Sequence, residues 1–284
     1  MTLRIAVQSK GRLFEDTIEL FTEAGIKLNN IKRTLLVPAR DFPVEILFLR
    51  DDDIPQAVAT GVADIGVVGE NEFVEKNEDA EVVKLLGFSK CRLSLAIPKR
   101  DDYNGVQWFS GKKIATSYPH ILRTYLKEQG IKSEIHEISG SVEISPSIGL
   151  ADAIFDIVSS GGTLVSNGLK EVEVVMQSQA VMLANKELSA EKRQILDDLI
   201  FRIESVQTAT NKKYILLNAP SENLDEIIKI LPGMRSPTIT PLASEGWCSI
   251  QSVIEEKQFW NIISGLKALG AEGIIVLPIE KMIL

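Results

Sequence analysis

For about its first 170 residues the chain alternates short β-branched runs with amphipathic segments, a pattern that predicts strands joined by crossover helices in an α/β sheet. Leu3 to Val7 reads as the first strand. Leu13 to Ala24 follows as a helix with Phe14, Ile18 and Phe21 on one face. Val44 to Leu49 and Asp64 to Val68 read as strands around a short helix over Ile54 to Thr60, the second bracketed by Gly61, Gly66 and Gly69. Val82 to Leu86 and Arg92 to Ile97 are further strands. A second α/β unit begins near residue 98, with a strand over Ile114 to Thr116, a helix over His120 to Gln129 and a strand over Glu134 to Ile138. A short helix after Pro146 and a strand leading to Asp156 complete it. Val172 to Ala184 is long and apolar, able to carry the chain back into the first unit.

Ser189 to Thr208 is predicted as one helix with Ile195, Leu199, Ile203 and Val206 in a stripe. Beyond it the pattern changes to a strand over Tyr214 to Leu217 and a helix face of Leu224, Ile227, Ile228 and Leu231 that closes at Pro232-Gly233. Strands around Thr238 to Leu242 and Trp247 to Ile254 come next. A helix face of Phe259, Ile262, Ile263, Leu266 and Leu269 precedes a last strand over Gly273 to Leu277. That order is βαββαβ, the ferredoxin-like arrangement.

Composition narrows the classes. The 284 residues suffice for two or three domains, and no apolar run approaches the ~20 residues that cross a bilayer. The chain enters a strand at once, with no signal-peptide core, and its only cysteines are Cys91 and Cys248, so a reducing cytoplasm is expected. A net charge of −8 argues against a general nucleic-acid binder but permits a nucleotide site. His120 and His136 are the only histidines, which removes metal sites built on His and Cys. Dinucleotide and ATPase glycine motifs are absent.

The apolar run Ala153 to Val158 stops in Ser159-Ser160-Gly161-Gly162-Thr163, and a helix-like segment begins near Thr163. Such a turn points several N–H groups into one small space that nothing bulky blocks, which suits a phosphate. Asp156 at the strand end is placed to accept from sugar hydroxyls. Together they describe a site for a phosphorylated ribose. The same residue types also serve simply to cap a helix and permit a positive φ. Lys10, Gly11 and Arg12 follow the first strand, at the ligand edge of an open sheet, and suit a pyrophosphate or triphosphate; a plain surface turn uses them too. Asp51-Asp52-Asp53 reads as a helix start, with Asp53, Pro55 and Gln56 resembling a capping box, and Arg50 before it as a phosphate contact. Two α/β units joined by crossing strands would make a cleft of the kind that binds small ligands, and Gly69-Glu70-Asn71 lies at a strand's carboxyl edge near it. Arg92 can reach that cleft or form a salt bridge.

Several segments together resemble one family, the ATP phosphoribosyltransferases: RIAVQSKGRL (4–13), RDDDIPQAVATGVADIGVVGEN (50–71), CRLSLAIP (91–98) and GSVEISPSIGLADAIFDIVSSGGTLVSNGL (140–169). GMRSPTITPLASEGW (233–247) looks like the mark of the long form, which carries its own regulatory domain. The resemblance implies an α/β fold of two periplasmic-binding-protein-like lobes, 1–91 plus 177–208 and 92–176, with an ACT-like βαββαβ domain over 209–284. It implies joining of the phosphoribosyl group of phosphoribosyl pyrophosphate to N1 of ATP. It also implies Mg²⁺ dependence, inhibition by histidine and AMP, dimer-to-hexamer assembly and no separate regulatory subunit. On this basis Asp152, Asp156, Ser159, Ser160, Gly161, Gly162 and Thr163 hold phosphoribosyl pyrophosphate. Lys10, Gly11, Arg12 and Glu70 meet ATP, Lys10, Arg12, Arg50 and Arg92 surround the triphosphate and the leaving pyrophosphate, and Asp156, counted with these four cations as catalytic, accepts from the ribose hydroxyls. Ser236 and Thr238 are the expected histidine contacts, and no metal ligand in the protein is expected. Two other classes stay open on the residues: a two-lobe protein that captures an anion without reacting it, and an amino-acid sensor.

Overall fold

The computed structural model describes residues 1–28, 35–231 and 233–284, so Pro232, expected to close a helix, lies outside the described residues. The chain divides into two compact units, Met1–Thr22 with Ile26–Leu196 and Glu23–Gly25 with Asp197–Leu284.

The first unit opens with β1 (Leu3–Gln8), α1 (Arg12–Glu23), β2 (Leu36–Pro38), β3 (Val44–Leu49), α2 (Ile54–Ala59), β4 (Ile65–Gly69), α3 (Glu70–Lys76) and β5 (Glu81–Leu85). It continues through β6 (Cys91–Pro98), β7 (Lys113–Thr116), α4 (Pro119–Glu128), β8 (Glu134–Glu137), β9 (Ala153–Val158), α5 (Gly162–Ser166), β10 (Leu169–Ser178) and β11 (Ala180–Ala184). These strands form two sheets, ordered β2-β3-β1-β4-β11-β5 and β10-β6-β9-β7-β8. The chain passes between them twice, once before β6 and once at Gln179. The apolar stretch Val172 to Ala184 is therefore shared between β10 and β11, which belong to different sheets.

Central strands are apolar along their length because both faces are covered. Leu3, Ile5, Ala6 and Val7 of β1 are all fully buried, as are Val67 and Val68 of β4. Gly66 answers a packing need: a Cβ there would stand 2.6 Å from Ile54 Cγ2 and 2.8 Å from Val58 Cγ2 of α2. In the other sheet Leu93, Leu95 and Ile97 pack with Phe109, Ile114, Leu122 and Phe155 on one face, and Ala96, Ala115, Ile154 and Val158 line the opposite face.

Some predicted elements differ. No helix follows Pro146; a 3-10 turn over Val142–Ile144 precedes it, and turns run on to Gly149, whose φ is +75°. The helix near Thr163 has five residues only. β2 and α3, three and seven residues long, carried too little periodicity to be predicted. The chain next forms α6 (Ala190–Ala209), whose buried stripe is Leu196, Leu199, Ile203 and Val206, so Leu196 stands where Ile195 was expected.

In the second unit, β12 (Lys212–Pro220), α7 (Leu224–Ile230), β13 (Thr238–Pro241), β14 (Trp247–Glu255), α8 (Glu256–Ala268) and β15 (Glu272–Pro278) follow in the expected βαββαβ order. The antiparallel sheet runs β13-β14-β12-β15. Its core joins Ile215, Leu217 and Ile250 to Ile227 of α7 and Leu266 of α8.

Candidate active site

Parallel pairing sets β3, β1 and β4 side by side, so the segments after them share one sheet edge. Lys10 is exposed there, and Gly11 takes a φ of +92°, where its carbonyl accepts from the Glu15 amide at 3.1 Å. Arg12 opens α1; its guanidinium is 73% exposed and 3.7 Å from Asp16. Arg50 leaves β3 with its side chain 79% exposed and Nε 3.2 Å from Asp52 Oδ1. Exposed pairs of this kind contribute about 0–1 kcal/mol, so both arginines can turn to a stronger anion at little cost. Glu70 begins α3, half-buried, its amide bound to the carbonyl of Gln179. Asp53 precedes α2 as expected, with Pro55 in the first turn, but makes no side-chain cap bond because Asp51–Asp53 already form a 3-10 turn.

In the second sheet β7 and β9 run parallel, and the segments after them share an edge as well. Ser159, Ser160, Gly162 and Thr163 are exposed at the end of β9, and Gly161 takes a φ of +81°. A helix of five residues has little macrodipole. The turn's capacity for an anion rests on its amides and hydroxyls. Asp156 is half-buried in β9. Burial is the chief cause lifting its pKa to about 6; the Ile157 amide bonded to it acts the other way, and Glu143 adds to the rise.

Asp152 does not join this group. It precedes β9 at the opposite end, where Oδ2 accepts from the Lys113 amide at 2.9 Å. Four steps along the strand, about 13 Å, separate it from Asp156. The expected pairing of the two on one ribose is therefore corrected. Arg92, expected to face phosphates, has its guanidinium engaged by Glu171 and by the carbonyl of Ser159.

Between the two edges stands Tyr118, buried at the start of α4. Burial raises its pKa most, and the carboxylates of Glu72, Asp156 and Asp51 raise it further. Of the three, Glu72 is also its hydrogen-bond partner, and Asp156 and Asp51 act on the phenol from the two sheets. Asn71 Nδ2 lies 3.3 Å from the Tyr118 hydroxyl, and Asn71 is itself held by Ser178 beside the crossing at Gln179. Glu72 also has a raised pKa, chiefly through burial. Tyr118, Glu72 and Glu171 were not among the sequence candidates. A tyrosine between the predicted strand Ile114 to Thr116 and Pro119 was the one available signal; the acids required the register. Among the described residues no three His, Cys, Asp or Glu side chains group closely enough to hold a metal ion.

In the second unit Ser236 and Thr238 are exposed beside buried Pro237, where the edge strand β13 begins. Thr238 pairs with Gln251 of β14 on one side.

Fold and site together define an α/β protein with an open, hydroxyl-rich turn on one sheet and exposed cations at the edge of the other. The profile of ATP phosphoribosyltransferase matches residues 50–205, and that of "HisG, C-terminal domain" residues 209–281. The ATP phosphoribosyltransferase of Parabacteroides distasonis is 69% identical over 281 residues, 99% of each chain. That of Bacteroides fragilis is 67% identical over 282 residues, 99% of this chain and 100% of the relative. The ATP phosphoribosyl transferase (HisG:HisZ) complex from Thermotoga maritima superposes with a TM-score of 0.62 at 28% identity, over 72% of this chain and 99% of that one. The chain belongs to the ATP phosphoribosyltransferase family, in the form that carries the C-terminal domain.

Proposed function

We propose that the protein transfers the phosphoribosyl group of phosphoribosyl pyrophosphate to N1 of the adenine of ATP, the first step of histidine biosynthesis. The N1 lone pair forms the bond to C1 of the ribose, the C1–oxygen bond breaks with inversion, and pyrophosphate leaves with the electron pair. The alkylated base then gives up a proton from its exocyclic amine to solvent. A nucleophile with its own lone pair needs no strong base, which suits an edge without histidine. What remains is alignment of two polyanions and stabilisation of a cationic sugar and a departing anion.

The observation that carries this reading is the Ser159–Thr163 turn, open to solvent and beginning three positions beyond a half-buried Asp156. In it Ser159, Ser160, Gly161, Gly162 and Thr163 receive the 5-phosphate, and ionised Asp156 accepts from the ribose hydroxyls. Lys10, Gly11, Arg12 and Glu70 receive ATP, and Lys10, Arg12 and Arg50 meet the phosphates. A magnesium ion, if bound with the pyrophosphate, would have Asp156 as its nearby protein carboxylate and would supply positive charge to offset that of the leaving group. Fit to such a guest rests on Asp156 with Glu143 near enough to act on it, since the described residues form no three-ligand cluster.

Regulation belongs to the C-terminal unit in the same proposal. Histidine binds at Ser236 and Thr238, AMP competes at the nucleotide site, and the chain assembles from dimers to hexamers without a separate regulatory subunit. Two unpaired cysteines, Cys91 and Cys248, agree with work in the cytoplasm. Mixing the protein with ATP, phosphoribosyl pyrophosphate and Mg²⁺ tests the reaction. An N1-substituted adenine, followed by its near-ultraviolet absorbance with release of pyrophosphate, is the expected product. Stoichiometric ligand capture without turnover would discard it.

A further inference from the structure

Arg92 lies at the start of β6, directly opposite Val158 of β9 on one side and Gln177 of β10 on the other. Its Nε donates to Glu171 Oε1 at 2.5 Å and its Nη2 to Oε2 at 2.6 Å, a two-pronged pairing that fixes the plane of the guanidinium. Ser94, two residues along β6 and fully buried, donates its hydroxyl to the same Oε1 at 2.6 Å. The Nη1 left over donates to the carbonyl of Ser159 at 3.1 Å. That carbonyl is the first of the exposed turn. Ser94 pairs in register with Asp156, so the clamp and the ribose acid share one face of the sheet.

A peptide unit is planar and trans, so its C=O and the next N–H point in opposite directions. Drawing the Ser159 carbonyl toward β6 turns the Ser160 amide the other way, to the open side of the turn. Beyond that residue the turn runs into α5, where the carbonyls of Gly161 and Thr163 accept from the Val165 and Asn167 amides at 3.2 Å, so the Ser159–Ser160 peptide is the part left to the guanidinium; Gly162 N–H to Ser160 Oγ is long at 3.4 Å. The guanidinium thus anchors the opening peptide of the turn, ahead of the bonds that hold its remainder in α5. Paired charge for charge with Glu171, it contributes direction more than net positive charge.

We infer that Arg92 and Glu171 are positioning residues: Glu171 holds the guanidinium, the guanidinium holds the Ser159 carbonyl, and the Ser160 amide is thereby presented to the phosphate of the sugar substrate. This rests on the function proposed above. It moves Arg92 from the triphosphate to the support of the turn, and gives Glu171 a role that follows from geometry alone.

The test uses the full-length chain with Glu171→Gln, Arg92→Lys and the double variant. Gln keeps the shape of Glu without its charge, and Lys keeps the charge of Arg without its fork. Expected for each single variant is a rise of about tenfold in KM for phosphoribosyl pyrophosphate with KM for ATP unmoved, and a double variant no worse than either single one. Calorimetry with ribose 5-phosphate, which needs no turnover, is expected to show the same weakening. Ribose 5-phosphate binding unchanged in Glu171→Gln overturns the positioning pair, as does a KM for ATP that rises in step. Absence of turnover in the unmodified protein is a separate result that removes the proposed reaction and leaves the calorimetric test standing.

Discussion

Asp156 is held in a state that favours its neutral form, since its pKa stands near 6 against an ordinary 3.8. A carboxyl whose folded-state pKa is raised stabilises the fold most when both states are protonated, below the ordinary value. That contribution is lost as pH rises from there through about 6. Asp156→Asn keeps an acceptor for the Ile157 amide and cannot ionise. Its thermal midpoint is expected to exceed that of the parent at pH 8, by the equivalent of roughly 3 kcal/mol, and to come close to it near pH 4. Turnover in the same variant is expected to fall about 10²-fold. Equal midpoints at pH 8 would show that the buried charge is not a cost to the fold. The sequence placed Asp156 correctly at a strand end before a phosphate-compatible turn. It could not separate Asp156 from Asp152, because which end of a strand faces a ligand is decided by the direction of its neighbours. Glu171 was invisible for a related reason: its partner is 79 positions away and meets it only across the β6–β10 ladder.

At the scale of elements, close approach is as informative as chemistry. The glycines of Asp64 to Gly69 were readable as a packing device, and Gly66 shows the reason, with α2 lying on β4 so closely that no side chain fits. Gly66→Ala is expected to destabilise the first unit by roughly 1–3 kcal/mol, seen as a lower urea midpoint. A variant as stable as the parent would mean that α2 moves freely off the sheet. Long, strongly patterned segments were legible: β1, β3, β4, α1, α6 and the βαββαβ order all follow from periodicity and punctuation. Short ones were not. α3 and α5 owe their helical turns to the strand ends that launch them, and the capping box predicted at Asp53 gave way to a 3-10 turn built from the same three aspartates.

The whole molecule comprises a first unit built on two sheets and a second unit that carries the βαββαβ sheet. In that last unit β13 is an edge strand, paired on one side only, with Ser236 and Thr238 exposed at its start. Thr238→Ala is expected to raise the histidine concentration for half-inhibition about tenfold, the loss of one hydrogen bond to a charged ligand. Undiminished sensitivity, measured by steady-state rates across a histidine titration, would move the effector elsewhere. One contact within the first unit bears on how it moves. Glu75 of α3 accepts the amides of His120 and Ile121 at 2.8 and 3.0 Å, so a side chain from one lobe finishes the opening turn of α4 in the other. Any rearrangement that draws α3 away uncovers two donors at once, and α4 frays where Tyr118 leads into it. Helical order at that point therefore reports whether the Glu75 contact is kept, legible residue by residue in amide exchange.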